Sequence, residues 1–331
     1  MNLARSRARR TLGGIAACAL WAGTAPAQQQ IVDPDFDVRL DRPAFRAGGP
    51  TVVVDEAHGN FHTASGQYRP FADLLRADGF RVVAGKDAFS AASLRGMRLL
   101  IIANPGSPNG ADTDKPAFTE AEAEAVRKWV KSGGALLLIA DHAPFGLAAA
   151  PLARRLGVAM GRGWVFEKAP SADGITTQLT FSRANHRLGS HPITNGRSSA
   201  EKLGLVKSFT GQSLSGPPGS VALLRLDPDA REAPDRTRLD RSSEAVLAAK
   251  GGAVAWPAGV PRVGERAQGL AFRFGRGRVV VLGEAAMLSA QVIRFRPAVD
   301  REDLRVGMGA PGNDNRQFAL NVMHWLAGVL R

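Results

Sequence analysis

The feature that most narrows the fold is a series of largely apolar runs at 51–54, 80–83, 97–103 and 135–140, with polar residues only near their starts at Thr51, Arg81 and Arg98. A strand exposed on one side alternates apolar and polar residues, so runs without alternation call for a sheet covered on both faces. Helical signals fall between them. Tyr68, Phe71, Leu74 and Leu75 recur at helical spacing and stop at Asp78-Gly79. Thr119 and Glu122 form a capping box ahead of Ala125, Val126, Trp129 and Val130, which Gly133-Gly134 closes. Strand, helix, strand, helix in this order predicts an α/β fold, with a mainly parallel sheet and helices on both faces.

The runs end in polar residues. The first leads into Asp55, Glu56, His58, Asn60 and His62, the third into Asn104-Pro105-Gly106, and the fourth into Asp141-His142. Open α/β sheets bind ligands outside the carboxyl ends of their strands, so this edge is where a site is expected.

The 331 residues, 44% apolar and 22% charged, suit a globular protein with one large core or two modest ones. Residues 1–27 read as a signal peptide: Arg5, Arg7, Arg9 and Arg10 precede an apolar run, and Ala25-Pro26-Ala27 is a small-x-small cleavage signal. A periplasmic or secreted protein is expected by the general secretory route. Arg9-Arg10-Thr11-Leu12 leaves a twin-arginine route open, and Ile15-Ala16-Ala17-Cys18 a lipoprotein variant. Cys18 is the sole cysteine, so cleavage after Ala27 removes any thiolate nucleophile or thiolate metal ligand.

Residues 28–50, rich in Pro and Gly, read as an extended lead-in to a single domain over 51–331. The pattern loosens over about 157–266, read as a β-rich insertion with short strands at 175–181, 203–209 and 221–226. A hairpin follows, 269–274 and 278–282 around Gly275-Arg276-Gly277, and delivers Glu284. Phe318, Val322, Trp325, Leu326 and Val329 mark a last helix, with Asp314 and Gln317 as its cap pair and His324 off its apolar stripe. No run after the signal spans a bilayer. The formal charge of +13 is scattered and the chain has one tyrosine, which disfavours a nucleic-acid partner. The oligomeric state has no signature here.

With these pieces assembled, DEAHGNFH at 55–62, GGALLLIADHAPFG at 133–146, HPITNG at 191–196, GRGRVVVLGEAAML at 275–288 and NDNRQFALNVMHWLAG at 313–328 carry a family resemblance. The chain resembles the exported bacterial branch of the class I glutamine amidotransferase-like superfamily, near the ThuA-like and gliding-motility-type auxiliary domains. The resemblance implies a flavodoxin-like sheet. Amidotransferases of that fold place a cysteine on a sharp turn after a central strand. The corresponding turn here carries Asp141-His142, which excludes thioester chemistry on glutamine.

Asp55, His58, Asp141, His142 and Glu284 are therefore the candidate catalytic groups. In one version His58, His62, Asp55, Asp141 and His142 hold a divalent metal whose bound water reacts, with Glu56 or Glu284 as base. In a metal-free version His58 or His142, oriented by Asp55 or Asp141, is a general base toward water or a sugar hydroxyl. In a structural version the aspartates cap helices and the histidines bond to backbone carbonyls. Glu56, Asn60, Asn104, Asn313 and Asn315 are candidate ligand-binding groups.

The DEAH string lacks the phosphate loop an ATPase needs, and no Gly-x-Ser-x-Gly elbow is present. His191 before Pro192 reads as a turn residue. The expectation is a hydrolase-like protein acting on a small envelope-derived or carbohydrate-type substrate. The alternative is a non-catalytic module of the same fold that binds a ligand or a protein.

Overall fold

A computed structural model of the protein describes residues 28–46, 48–106, 115–169, 174–295 and 302–331. The signal-peptide reading of residues 1–27 lies outside them. The chain opens with β1 (Gln28–Val32), then forms β2 (Thr51–Asp55), α1 (Arg69–Ala77), β3 (Arg81–Gly85), β4 (Leu99–Ala103), α2 (Glu120–Lys131), β5 (Ala135–Ile139) and α3 (Phe145–Arg155). Next come β6 (Ala159–Met160), β7 (Trp164–Lys168), β8 (Ile175–Thr176), β9 (Gln178–Ser182), α4 (Pro192–Asn195), β10 (Leu205–Phe209), β11 (Leu214–Ser215), β12 (Val221–Arg225), β13 (Arg231–Ala233) and α5 (Arg236–Ala248). The hairpin β14 (Ala267–Phe274) and β15 (Gly277–Leu282), then β16 (Ala290–Phe295), β17 (Leu304–Gly307) and α6 (Asn315–Ala327), complete it.

The central sheet runs β3-β2-β4-β5-β15-β14-β11-β6, with β12 also on β14. The strands β3, β2, β4, β5 and β15 are parallel to one another. In chain order those five lie 2-1-3-4-5, so the order reverses between β2 and β4, and that reversal opens a crevice at their carboxyl ends. Beyond β15 the pairings are antiparallel. The sheet is thus mixed rather than mainly parallel. The tight Gly275-Arg276 turn folds β14 back beside β15, and strands from the loosened region add to its free edge.

Alternate residues of each central strand enter opposite layers, which explains why the apolar runs do not alternate. Val52, Val54, Leu99, Ile101, Leu137 and Ile139 join the layer containing Phe71 of α1 and Phe318 and Val322 of α6. Val53, Leu100, Ile102, Leu136 and Leu138 join Val126 of α2 and Leu152 of α3.

Several local expectations change. The lead-in begins as a strand, since β1 pairs antiparallel with β16. The segment 157–266 is not simply appended, because β6, β11 and β12 extend the central sheet. It also contains α5, on which only Leu239 and Ser242 are buried, too few to print a period; Asp235 caps it by accepting from the Arg238 N–H. The α3 pattern is hidden by Pro144 and Pro151. Asp314 does precede α6, but its carboxylate accepts from the Gly204 and Leu205 N–H groups at 2.6 and 2.9 Å, and Gln317 donates to Asn321. The Thr119–Glu122 capping box forms as expected. His191 caps α4, its Nδ1 accepting from the Ile193 N–H at 3.2 Å.

His324 is not a surface residue. It is 1% exposed, and its Nε2 lies 2.6 Å from Asp78 Oδ2, with Asp78 equally buried. Asp78 also accepts from the Ala44 N–H at 2.6 Å, so the pair ties α6 to the end of α1. Removing one partner of a buried hydrogen-bonded pair strands the other. His324→Ala is accordingly expected to cost about 3 kcal/mol in urea unfolding.

Candidate functional site

The carboxyl ends of β2, β4, β5 and β15 deliver Asp55, Asn104, Asp141 and Glu284 to one edge of the sheet, but the side chains divide into two clusters. In the first, His58 Nδ1 lies 2.8 and 3.0 Å from the two Asp55 oxygens, and Nε2 lies 3.0 Å from Glu122 Oε1. Ionised carboxylates only accept, so both ring nitrogens must donate and the ring is an imidazolium. Phe89 and Phe118 flank it at centroid distances of 4.4 and 4.8 Å. Burial alone would lower the His58 pKa, but the hydrogen bonds and charges of Asp55 and Glu122 outweigh it and raise it. Burial would likewise raise Glu122, yet hydrogen bonds from Thr119 and His58 bring it down to about 2. His58 is therefore a buried structural cation joining β2 to the first turn of α2, with neither nitrogen left to act as a base.

The second cluster centres on Asp141. Its Oδ1 accepts from the His142 N–H at 2.7 Å, and among the described residues its Oδ2 has only a 3.4 Å contact from the Ala285 N–H. Glu284 is fully buried, and its two oxygens accept from the Ala286 and Met287 N–H groups at 2.7 and 2.8 Å. Burial, and then the neighbouring Asp141 charge, push the Glu284 pKa well up; burial also raises Asp141. The Tyr68 hydroxyl donates to the Ala285 carbonyl at 2.9 Å, and burial, with Glu284 and Asp141, raises its pKa.

His142 sits at this edge half-buried, its ring stacked on Trp164 at 5.1 Å. Its Nδ1 lies 2.7 Å from the Ala143 carbonyl, which only accepts, so Nδ1 carries the hydrogen. The ring thus turns Nδ1 to the backbone and leaves Nε2 without a protein partner among the described residues.

The remaining candidates are engaged by the protein itself. His62 is 4% exposed and packs on Tyr68 at 4.4 Å; among the described residues its Nδ1 has no partner, and burial lowers its pKa to about 3. Glu56 accepts from the Ala64 N–H at 2.9 Å, and Asn60 from the His58 N–H at 3.1 Å. Asn104, at φ 46°, accepts from the Asp141 N–H at 2.8 Å and so stitches β4 to β5. Asn313 caps locally, accepting from the Asn315 N–H at 2.8 Å. Asn315 is fully buried and bonds both the N–H and the C=O of Lys207 at 2.9 and 2.8 Å.

The five tentative metal ligands are not brought together. Among the described residues no three His, Cys, Asp or Glu groups are placed to hold an ion. His58 is committed to Asp55 and Glu122, His62 is walled in beside Tyr68, and only Asp141 and His142 remain adjacent. The sequence reading also missed two residues. Tyr68 looked like one more member of an apolar helix face. Gln212, fully buried, donates to the Ala140 and Asp141 carbonyls at 2.7 and 3.1 Å and fixes the turn after β5. Its flanking glycine and serines read as loop.

Two cavities, of about 560 and about 460 Å³, open elsewhere on the molecule, and neither is lined by Asp141 or His142. The chemistry of the side chains, rather than the size of a cavity, points to the carboxyl edge.

The profile of a family described as a domain of unknown function, DUF4350, matches residues 60–291. No curated protein matches the chain in sequence. Among solved structures, the mmIFT52 N-terminal domain is similar in fold at a TM-score of 0.52 and 17% identity, covering 83% of this chain and 96% of that one. A protein described as ThuA-like from Bacteroides uniformis ATCC 8492 aligns at a TM-score of 0.41 and 14% identity, covering 87% of this chain and 93% of its own. Another so described, from Parabacteroides merdae ATCC 43184, aligns at 0.41 and 12%, covering 85% and 90%.

Proposed function

The chain belongs to the DUF4350 family, and for this member we propose an exported hydrolase-like enzyme that acts on a small envelope-derived or carbohydrate-type substrate. We read its sheet as class I amidotransferase-like, without amidotransferase activity, because Asp141-His142 stands where those enzymes carry cysteine. The observation that carries the reading is His142: its Nδ1–H is held by the Ala143 carbonyl, its Nε2 has no protein partner among the described residues, and its backbone N–H bonds Asp141, a carboxyl whose pKa burial raises.

In this reading His142 Nε2 takes a proton from water as the water oxygen bonds to the electrophilic carbon. Asp141, which burial helps to keep protonated, gives its proton to the leaving oxygen as the carbon–oxygen bond breaks. Glu284 supports Asp141, since two nearby carboxyls resist ionising together. Asp55 and His58 hold the scaffold and take no part in proton transfer.

A second reading, a binding module without chemistry, is favoured by a different observation. Phe61 is 39% exposed at this edge, 6.0 Å from the Phe145 ring, a surface suited to a partner or ligand. A hydrolase screen of the mature protein beside His142→Ala and Asp141→Asn separates the two. Turnover lost in both variants supports the enzyme. Turnover retained in both removes the site, and saturable binding without turnover, lost in Phe61→Ala, supports the module.

A further inference from the structure

The larger cavity, about 560 Å³, lies at the opposite end of the sheet from Asp141, where β4 and β5 begin. Its volume is in the range that holds small ligands. Leu94, Met97 and Trp129 supply apolar surface, Arg95, Arg98 and Lys128 stand among the lining residues, and no carboxylate does. The Trp129 ring is fixed. Its Nε1 donates to the Met97 carbonyl at 3.2 Å, and its indole lies so close to Gly134 that no side chain fits there.

Helices α2 and α6 both end near this cavity, and their free carbonyls could by themselves account for cations here. Other arginines serve those carbonyls. Arg276 donates to the Ser132 carbonyl at 3.0 Å, and Arg278 donates to the Trp325 and Leu330 carbonyls. Arg95 and Arg98 are exposed and form no ion pair among the described residues, while Lys128 has only a 3.9 Å contact with Glu124. The cavity therefore combines an apolar wall with surplus positive charge.

We propose that it binds a small amphiphilic anion, a carboxylate whose apolar body lies against Trp129 and Met97 and whose head faces Arg95 and Arg98. This site is independent of the chemistry assigned to Asp141 and His142.

Calorimetric titration of the mature protein with octanoate tests the proposal, with octyltrimethylammonium as the charge-reversed probe. Octanoate is expected to bind one per chain, and the cation at least about tenfold more weakly. The exposed pair Arg95→Ala/Arg98→Ala should weaken octanoate about tenfold. Ala91→Phe, also exposed, fills the cavity with the arginines kept and should abolish binding; circular dichroism checks that each variant is folded. No saturable octanoate binding, or equal affinity in the double-arginine variant, overturns the proposal. So does binding confined to phosphatidylglycerol vesicles, which would mark the arginines as a membrane-surface patch.

Discussion

His58→Ala is expected to destabilise the protein by about 4–5 kcal/mol, among the largest losses of any single substitution outside the apolar core. The imidazolium is the shared partner of two carboxylates, Asp55 at 1% side-chain exposure and Glu122 at 15%. Without it both remain in place with the aromatic walls of Phe89 and Phe118 around them, and neither recovers its hydration. The loss should depend on pH from both sides. His58 has a raised pKa, so its contribution is complete below the free value of 6.5 and fades as pH rises through the higher folded value. Glu122 falls from 4.5 to about 2, so its contribution is complete above 4.5 and fades as pH drops toward 2. The gap between wild type and His58→Ala in urea unfolding should be widest between pH 4.5 and 6.5. A gap that stays flat across this range would mean that the ring is not held as a cation.

Asp141→Asn should separate function from stability in opposite directions. On the proposed mechanism it removes the proton donor, and activity should fall about 100-fold or more. The fold should gain. A carboxyl whose folded pKa is raised makes the native state costlier as pH rises above the free value, and Asp141 also adds its charge to that of Glu284. Asparagine keeps an oxygen for the His142 N–H and does not titrate. The variant should be more stable at neutral pH by about 1 kcal/mol, or about 2–4 °C in melting temperature, with the advantage shrinking in acid. A destabilised Asp141→Asn would show that the carboxylate serves structure.

Much of the scaffold could be read from local pattern. The four apolar runs became β2 to β5, the Thr119–Glu122 cap opened α2, and the Gly275-Arg276-Gly277 hairpin delivered Glu284 to the same edge as Asp55 and Asp141. What could not be read was how polar groups are paired across distance. His58 looked like a base because Asp55 is three residues away, but its second partner, Glu122, comes from another element 64 residues on. The same holds for His324, whose helical position said surface and whose partner Asp78 is 246 residues earlier. Asn315 looked like an exposed helix-start amide until β10 supplied both of its backbone partners. Helix α5 was invisible for another reason: with two buried residues, it has no apolar stripe to report.

The account turns on which histidine is free. A long-range proton–nitrogen correlation spectrum of the protein, with histidines assigned by single substitutions, reads the state of each ring nitrogen at neutral pH. The expected result is His58 protonated on both nitrogens, and His142 carrying hydrogen on Nδ1 where it faces the Ala143 carbonyl. A neutral His58 with an open nitrogen, or a His142 whose hydrogen sits on Nε2, would contradict it.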